Sequence, residues 1–323
     1  MNILLSYTSN PMTTASYLEK AIRKICGVIT YGPAINKGML KSWDLLDVED
    51  RVRNHQIPFS DGDMIRVIRK LPAGWHPDVF LYVDTGIFYP LINLDLLECI
   101  KACYLIDSHI NFDSHLEFAR DFDVVFVAHK PAVEMFKASG IEDVFWIPPA
   151  CDPQLHGKTR GEGLYDISFV GTLNSEFNPE RVNLFNALKQ SFNVYYERCF
   201  LERMAEVLYQ SKIVFHKSVN DGLAMRVFEV LASGSMLLTD ESKGSGLTNL
   251  FENRKHIVIY RNEKELLELA DYYLRHEDDR KKIAVEGMRK VLTEHTYRHR
   301  AEDMIRTLSM FKKMRDIQLQ LLT

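Results

Sequence analysis

Long apolar runs are missing from this 323-residue chain. No stretch approaches the ~20 residues of a bilayer-spanning helix, and the apolar part of the opening MNILLSYTSNP is too short for a secretory leader. The expectation is a cytoplasmic protein whose membrane contact is at most peripheral. Cysteine is scarce: five residues, Cys26, Cys99, Cys103, Cys151 and Cys199, with no CxxC pair. An odd number without paired spacing argues against a disulfide framework and for reduced, mostly buried thiols. Cys99 and Cys103, read as one helical turn apart, are badly placed for a bridge. A charge excess of one sign is also absent. Forty basic against 44 acidic residues give a net charge of −4, which excludes nucleic-acid binding by bulk electrostatics but leaves a local basic pocket open.

Several motifs are lacking as well. No GxGxxG, Walker A or GxSxG occurs, and the first apolar run leads into TSNPMTT, without the glycines of a dinucleotide fingerprint. Eleven histidines are scattered without HExxH or Cys/His ligand spacing, so neither a metal nor a resident cofactor is expected. The DFD at 121–123 runs into an apolar strand and reads as the start of that strand.

What is present is a rhythm of short apolar runs with helix-like segments between them. NILLSY (2–7), DVFLYVD (78–84), CYLIDSH (103–109), DVVFVAH (123–129) and VFWIPPA (144–150) are continuously apolar, as strands covered on both faces are. LINLDLLECIKA, SHLEFARDF and PAVEMFKASG read as the helices between them, the last with Pro131 at its start and Gly140 at its end. Region 36–71 reads as loops with one or two short helices. CDPQLHGKTRGEGLY (151–165) is polar and rich in glycine, and reads as a linker. A second series comes next: YDISFVG, FNVYYE, KIVFHKS, SMLLTD and HIVIY, helical to the end from about Glu263. The fold class is therefore α/β, two Rossmann-like doubly wound domains facing a cleft. The boundaries are 1–155 for an N-terminal domain, 160–300 for a second domain, and 301–323 for a C-terminal helix packing back toward the first domain.

Ligands of such sheets bind at the carboxyl ends of the strands. The polar residues there are Asp84, Thr85, Gly86, Asp107, Ser108, His109 and His129 in the first half. In the second they are Gly171, Thr172, Asn174, His216, Lys217, Ser218 and Asp240. The richest stretch is NDGLAMRVFEVLASGSMLLTD (220–240). A turn through Asn220, Asp221 and Gly222 precedes a helix from about Leu223 to Ser233. Its free amides from Gly222 to Met225 would hold an anion, and Arg226 would add a forked cationic contact to a phosphate. Glu229, expected to face the cleft, would accept a ribose diol, and Asp221 would meet a sugar beyond the phosphates. Arg181 and Lys217 are further phosphate neighbours. A helix cap at Asp221 and a solvated face at Arg226 and Glu229 would account for the same residues. Asp107 and His109 are candidate general bases for deprotonating an acceptor hydroxyl; the alternative is that they only shape the next helix.

These segments resemble the group-1 glycosyltransferases of GT-B fold, and most closely the CgeB-type (spore-maturation-like) branch. The resemblance is carried by NDGLAMRVFEVLASGSMLLTD, YLIDSHINFDSHLEFARDFDVVFVAHK, VFWIPPACDP, YDISFVGTLN with PERVNLF, and SKIVFHKSVNDGLAMRVFE, and spans roughly 75–300. It implies transfer of a sugar from a nucleoside-diphosphate sugar to a glycan, protein or small-molecule acceptor, without a metal. It makes Glu229 the ribose-binding glutamate of the family's E-x7-E element, whose first position here is Asp221 rather than glutamate. It also likens the VGTLNS turn to the loop that approaches the donor phosphates. A nucleotide-sugar epimerase, or a non-catalytic protein binding a nucleotide sugar or glycan, would use the same plan.

Overall fold

The structure, a computed structural model, describes residues 1–157 and 163–322. It divides into two compact units, the first formed by Met1–Pro148 with Arg298–Thr323 and the second by Pro149–Tyr297.

Unit 1 runs β1 (Asn2–Ser6), α1 (Thr14–Ile22), β2 (Gly27–Gly32), α2 (Lys37–Ser42), β3 (Ile57–Pro58), α3 (Met64–Ile68), β4 (Val79–Val83), β5 (Ile100–Leu105), α4 (Phe112–Ala119), β6 (Val124–Val127), α5 (Ala132–Ala138) and β7 (Val144–Trp146). The strands form one parallel sheet in the order β3-β2-β1-β4-β5-β6-β7. β4, VFLYV, is buried at every position, the continuous pattern that sheets covered on both faces require. β2 and β3 add to the five strands expected from periodicity. One expected helix is absent. LINLDLLECIKA forms a short 3-10 turn at Leu94–Leu96, entered through Asn93 in a left-handed conformation (φ 59°), and Ile100 already pairs with Val79 of β4. Cys99 and Cys103 therefore lie at the edge of and within a strand rather than on a helical turn, and none of the five cysteines is in a disulfide.

Unit 2 runs α6 (Pro153–His156), β8 (Tyr165–Val170), α7 (Pro179–Ser191), β9 (Val194–Glu197), α8 (Leu201–Tyr209), β10 (Ser211–His216), α9 (Met225–Ala232), β11 (Met236–Asp240), α10 (Leu247–Leu250), β12 (Val258–Tyr260), α11 (Glu263–Arg275) and α12 (Glu277–Glu294). Its parallel sheet has the order β12-β11-β10-β8-β9. Strand alternation sends Ile167, Phe169, Ile213, Phe215, Met236 and Leu238 into a core with Leu184 and Leu188 of α7, Leu266 of α11 and Ile283 of α12. α8 and α9 also pack on this sheet and on each other. Gly287 lets α12 close on its neighbours, since a Cβ there would come within 2.4 Å of the His256 carbonyl oxygen and 2.7 Å of Leu231.

The segment read as a linker is not an extended connector as far as it is described. Asp152 caps α6 through Gln154 N (2.9 Å) with Pro153 at the first position, and α6 packs on α8 and α9. The remainder of that segment, 158–162, lies outside the described residues. After α12 the chain enters α13 (Tyr297–Leu322), which packs on unit 1. Arg300 Nε donates to the Pro148 carbonyl (2.8 Å), Arg315 donates to the Glu98 carbonyl (2.8 Å), and Phe311 meets Phe145 edge-on at 6.1 Å. No described helix is long and apolar enough to cross a membrane.

Candidate functional site

In unit 2 the chain begins at β8, moves to β9 on one side and returns to β10 on the other. The loops after β8 and β10 thus leave in opposite directions and open a crevice at their carboxyl ends, the usual ligand position of such sheets. The β8 loop starts at Gly171, whose φ of 155° and a would-be Cβ 3.1 Å from the Phe169 ring favour glycine. Asn174 accepts from Glu176 N (2.8 Å). Asn178 caps α7 through Arg181 N (3.0 Å) and donates to the Ser218 carbonyl (3.0 Å), joining this loop to the one after β10.

Arg181 and Lys217 are engaged inside the protein rather than left free for a phosphate. The Arg181 guanidinium donates twice to the Lys217 carbonyl (3.1 and 2.6 Å) and once to the Thr172 carbonyl (3.3 Å), and burial lowers its pKa. Lys217 Nζ lies 3.1 Å from both Asp240 and Glu180. Burial alone would lower the Lys217 pKa, but Asp240 and Glu180 carry it above its ordinary value. Asp240 takes the Ser218 amide (2.8 Å) and hydroxyl. Burial opposes its charge, yet His216, Ser218 and Lys217 together hold its carboxyl below the usual range. Burial pushes His216 down to about 4, and its Nδ1 meets Thr239 Oγ1 at 3.0 Å.

Val219 to Gly222 form a tight turn in which Asn220 and Asp221 are both left-handed (φ 46° and 54°) and Gly222 N donates to the Val219 carbonyl (2.8 Å). Two consecutive non-glycine residues in this region cost conformational energy, and Asn and Asp bear it best. The Gly222 amide, expected in the anion site, is therefore occupied by its own turn. The helix begins later than expected, with Ala224 as cap and Met225 first, and Val227 N donates to the Ala224 carbonyl (3.2 Å). Asp221 is exposed and its carboxylate accepts from Lys243 N (3.1 Å), tying the turn to the loop after β11.

Glu229 does not lie open. Its side chain is 7% exposed, with Oε2 3.0 Å from Arg226 Nη1 and Oε1 3.7 Å from His156 Nε2. Arg226, expected to fork onto a phosphate, is spent on Glu229 and lies against Met204 Sδ. A carboxylate offers about four lone-pair directions, so Glu229 retains acceptor capacity for a diol.

In unit 1 the strand-end set is of another kind. Asp84, fully buried after β4, accepts from Gly86 N (2.7 Å) and Ile106 N (3.2 Å), and its Oδ2 lies 3.5 Å from His115 Nε2. His115 Nδ1 meets the buried Ser108 hydroxyl at 3.0 Å. Burial drives His115 down to about 4 and raises Asp84. Asp107 and His109 stand half-buried in the turn after β5. Burial and then Asp84 raise Asp107, and burial lowers His109. The His109 and His129 rings lie 4.9 Å apart. The buried His109 Nδ1 and Thr85 Oγ1 have no hydrogen-bond partner among the described residues, the condition in which a substrate or water supplies the missing one. Asp107 also shapes the approach to α4, its carbonyl accepting from Ile110 N (3.0 Å) and Asn111 N (3.1 Å).

The sequence reading missed His115 and His156. The Asp-Pro start of α6 was a signal for the latter. Among the described residues no group of three or more His, Cys, Asp or Glu side chains could hold a metal ion. An open groove of about 780 Å³ lined by Arg254, Tyr272 and Lys282 shares no residue with either set.

Solved structures with this architecture are GT-B glycosyltransferases. Anabaena HepE, crystallised with UDP-glucose, matches with a TM-score of 0.67 at 12% identity, over 96% of this chain and 100% of that one. An alpha-glucosyltransferase crystallised with UDP matches with a TM-score of 0.64 at 11% identity, over 96% and 100%. S. aureus TarM gives 0.57 at 11%, over 71% and 54%. The fold is thus GT-B: two Rossmann-like sheets and a C-terminal helix. Residues 169–306 match the family described as Glycosyl transferase-like. No curated protein sequence matches the chain significantly.

Proposed function

We propose that the chain is a glycosyltransferase that takes a sugar from a nucleoside-diphosphate donor held by unit 2 and passes it to an acceptor hydroxyl activated in unit 1. The observation that carries this reading is Glu229, a buried carboxylate fixed by Arg226 on the helix that opens from the β8/β10 crevice. The HepE and alpha-glucosyltransferase structures hold UDP or UDP-glucose on the same fold, which supports a uridine donor. The resemblance to the group-1 glycosyltransferases supports the hexosyltransferase type. The first amides of α9 would face the leaving diphosphate, and Gly171, Thr172 and Asn174 would border it. In unit 1, Asp107 or His109 would take the acceptor proton: burial raises the Asp107 carboxyl, which makes it a stronger base, and keeps His109 in its neutral, proton-accepting form. Catalysis of this kind is mostly positioning plus stabilisation of the leaving group, and we assign no divalent ion to it.

The test is a thermal-shift titration with UDP and UDP-glucose, with GDP and ADP as comparators, in buffer containing EDTA. A ligand that binds only the folded chain raises the melting temperature with concentration, about 2.7 kcal/mol at one hundred times its Kd. UDP and UDP-glucose should stabilise in EDTA. A shift that appears only with manganese or magnesium would remove the metal-free assignment, and no shift with any nucleotide would remove the donor reading.

A further inference from the structure

Three groups converge behind the crevice of unit 2, and one comes from α6. His156 is 1% exposed. Its Nδ1 accepts the Asp152 amide at 3.1 Å, so a neutral ring must carry its proton on Nε2. That nitrogen faces Glu229 Oε1 at 3.7 Å, while Arg226 holds Oε2 at 3.0 Å. Burial keeps the imidazole below its ordinary pKa against the pull of Glu229, so the neutral form is present at pH 7. The distance is that of an electrostatic contact rather than a full hydrogen bond. α6 itself is fixed by the Asp152 cap and packs on both α8 and α9.

We infer that His156 is a positioning residue for the donor: its Nε2–H and Arg226 together clamp the Glu229 carboxylate in the orientation that receives the ribose hydroxyls. This deepens the donor reading above and rests on it. The physical reason is rotamer control. A glutamate has three side-chain torsions, and a carboxylate fastened on one oxygen can still swing. A second donor on the other oxygen removes that freedom before the ligand arrives. Arg226 holds one oxygen from α9 itself, and His156 faces the other from α6.

The experiment measures UDP affinity by calorimetry, and melting temperature, for the full chain and for H156F, H156Q, E229Q and H156F/E229Q. Phenylalanine keeps the ring volume and loses the donor, whereas glutamine carries an N–H near the position of Nε2. H156F should bind UDP a few-fold more weakly, since the contact it loses is electrostatic and longer than a full hydrogen bond. H156Q should recover most of that loss. Adding H156F to E229Q should cost nothing more, because both act through the same carboxylate. Equal losses in H156F and H156Q that follow melting temperature would make His156 a packing residue and overturn the inference. Wild-type affinity in H156F alongside weakened binding in E229Q would overturn it while leaving the donor reading intact. Absence of binding to UDP, GDP and ADP by the wild-type chain would remove the donor reading, and the inference with it.

Discussion

The two strand-end sets are built from overlapping residue types and treat charge in opposite ways. In unit 1, Asp84 and Asp107 are raised by burial, and His109 and His115 are lowered by it. Every member is pushed toward its uncharged form. In unit 2 burial lowers His216 as well, but Asp240 is driven further into its charged form by His216, Ser218 and Lys217, Lys217 by Asp240 and Glu180, and Arg226 is matched to Glu229. A set held in its uncharged forms has neutral imidazoles that can accept a proton. A set locked in charged pairs offers fixed geometry and a permanent field. Both sets hold aspartate and histidine; what separates them is the cation about 3 Å from Asp240 and from Glu229 in unit 2.

The sharpest way to break this comparison is to neutralise unit 1. Asp107→Asn or His109→Ala should lower turnover by about 10²–10⁴-fold, the usual contribution of acid–base catalysis, with UDP affinity unchanged. Steady-state rates and calorimetry on the same preparations decide it, and wild-type turnover in both variants would leave these residues as shapers of the turn before α4.

The matching change in unit 2 should have the inverse profile. Glu229→Gln should weaken UDP binding by about 1–3 kcal/mol, the range for a lost charge-assisted hydrogen bond. Because Glu229 is buried against Arg226, the variant should also melt lower than the wild type, a consequence that an open, cleft-facing glutamate would not have. Unchanged affinity in a folded variant would confine Glu229 to a structural ion pair.

A smaller effect should appear in pH dependence. His115 and His216 both titrate near 4 in the folded chain, below the ~6.5 of an unfolded histidine. The unfolded state therefore binds more protons between these values, and each histidine withdraws stability as pH falls from about 6.5 toward 4. In unit 2, Asp240 is held below its ordinary value, so its contribution is also lost as pH falls further. In unit 1 His109 is lowered too, but the raised Asp84 and Asp107 take up protons more readily folded than unfolded, which offsets both histidines. Hydrogen exchange read by peptide from pH 7 to 4 should show unit 2 loosening more steeply than unit 1, and parallel curves would erase the electrostatic distinction.

Much of this was legible in the residues. Continuous apolar runs marked ten strands, and the passage from turn to helix at 220–232 located Glu229. What escaped depended on pairing. β2 begins and ends in glycine and becomes a strand because Asn2 to Ser6 pair with Gly27 to Tyr31. LINLDLLECIKA carries apolar residues at spacings that suit a helix, but Ile100 onward is claimed by β4. His115 and His156 are unremarkable in sequence. Their role comes from partners 31 and 73 positions away, counted from Asp84 to His115 and from His156 to Glu229. The turn at Asn220 and Asp221 was recognised, but its internal hydrogen bond, which takes the Gly222 amide, arises from backbone angles that residue types alone do not set.

The division of unit 1 into Met1–Pro148 and Arg298–Thr323 bears on the order in which the chain is made. A ribosome releases the whole parallel sheet of this unit, then all of unit 2, and only afterwards the helix that covers Pro148, Asp78 and Phe145. At synthesis rates of roughly 5–20 residues per second, the nascent sheet waits with that flank uncovered while unit 2 is translated. Of the two units the one begun first is thus the last to be completed, and a stop codon within α13 would injure unit 1 more than unit 2.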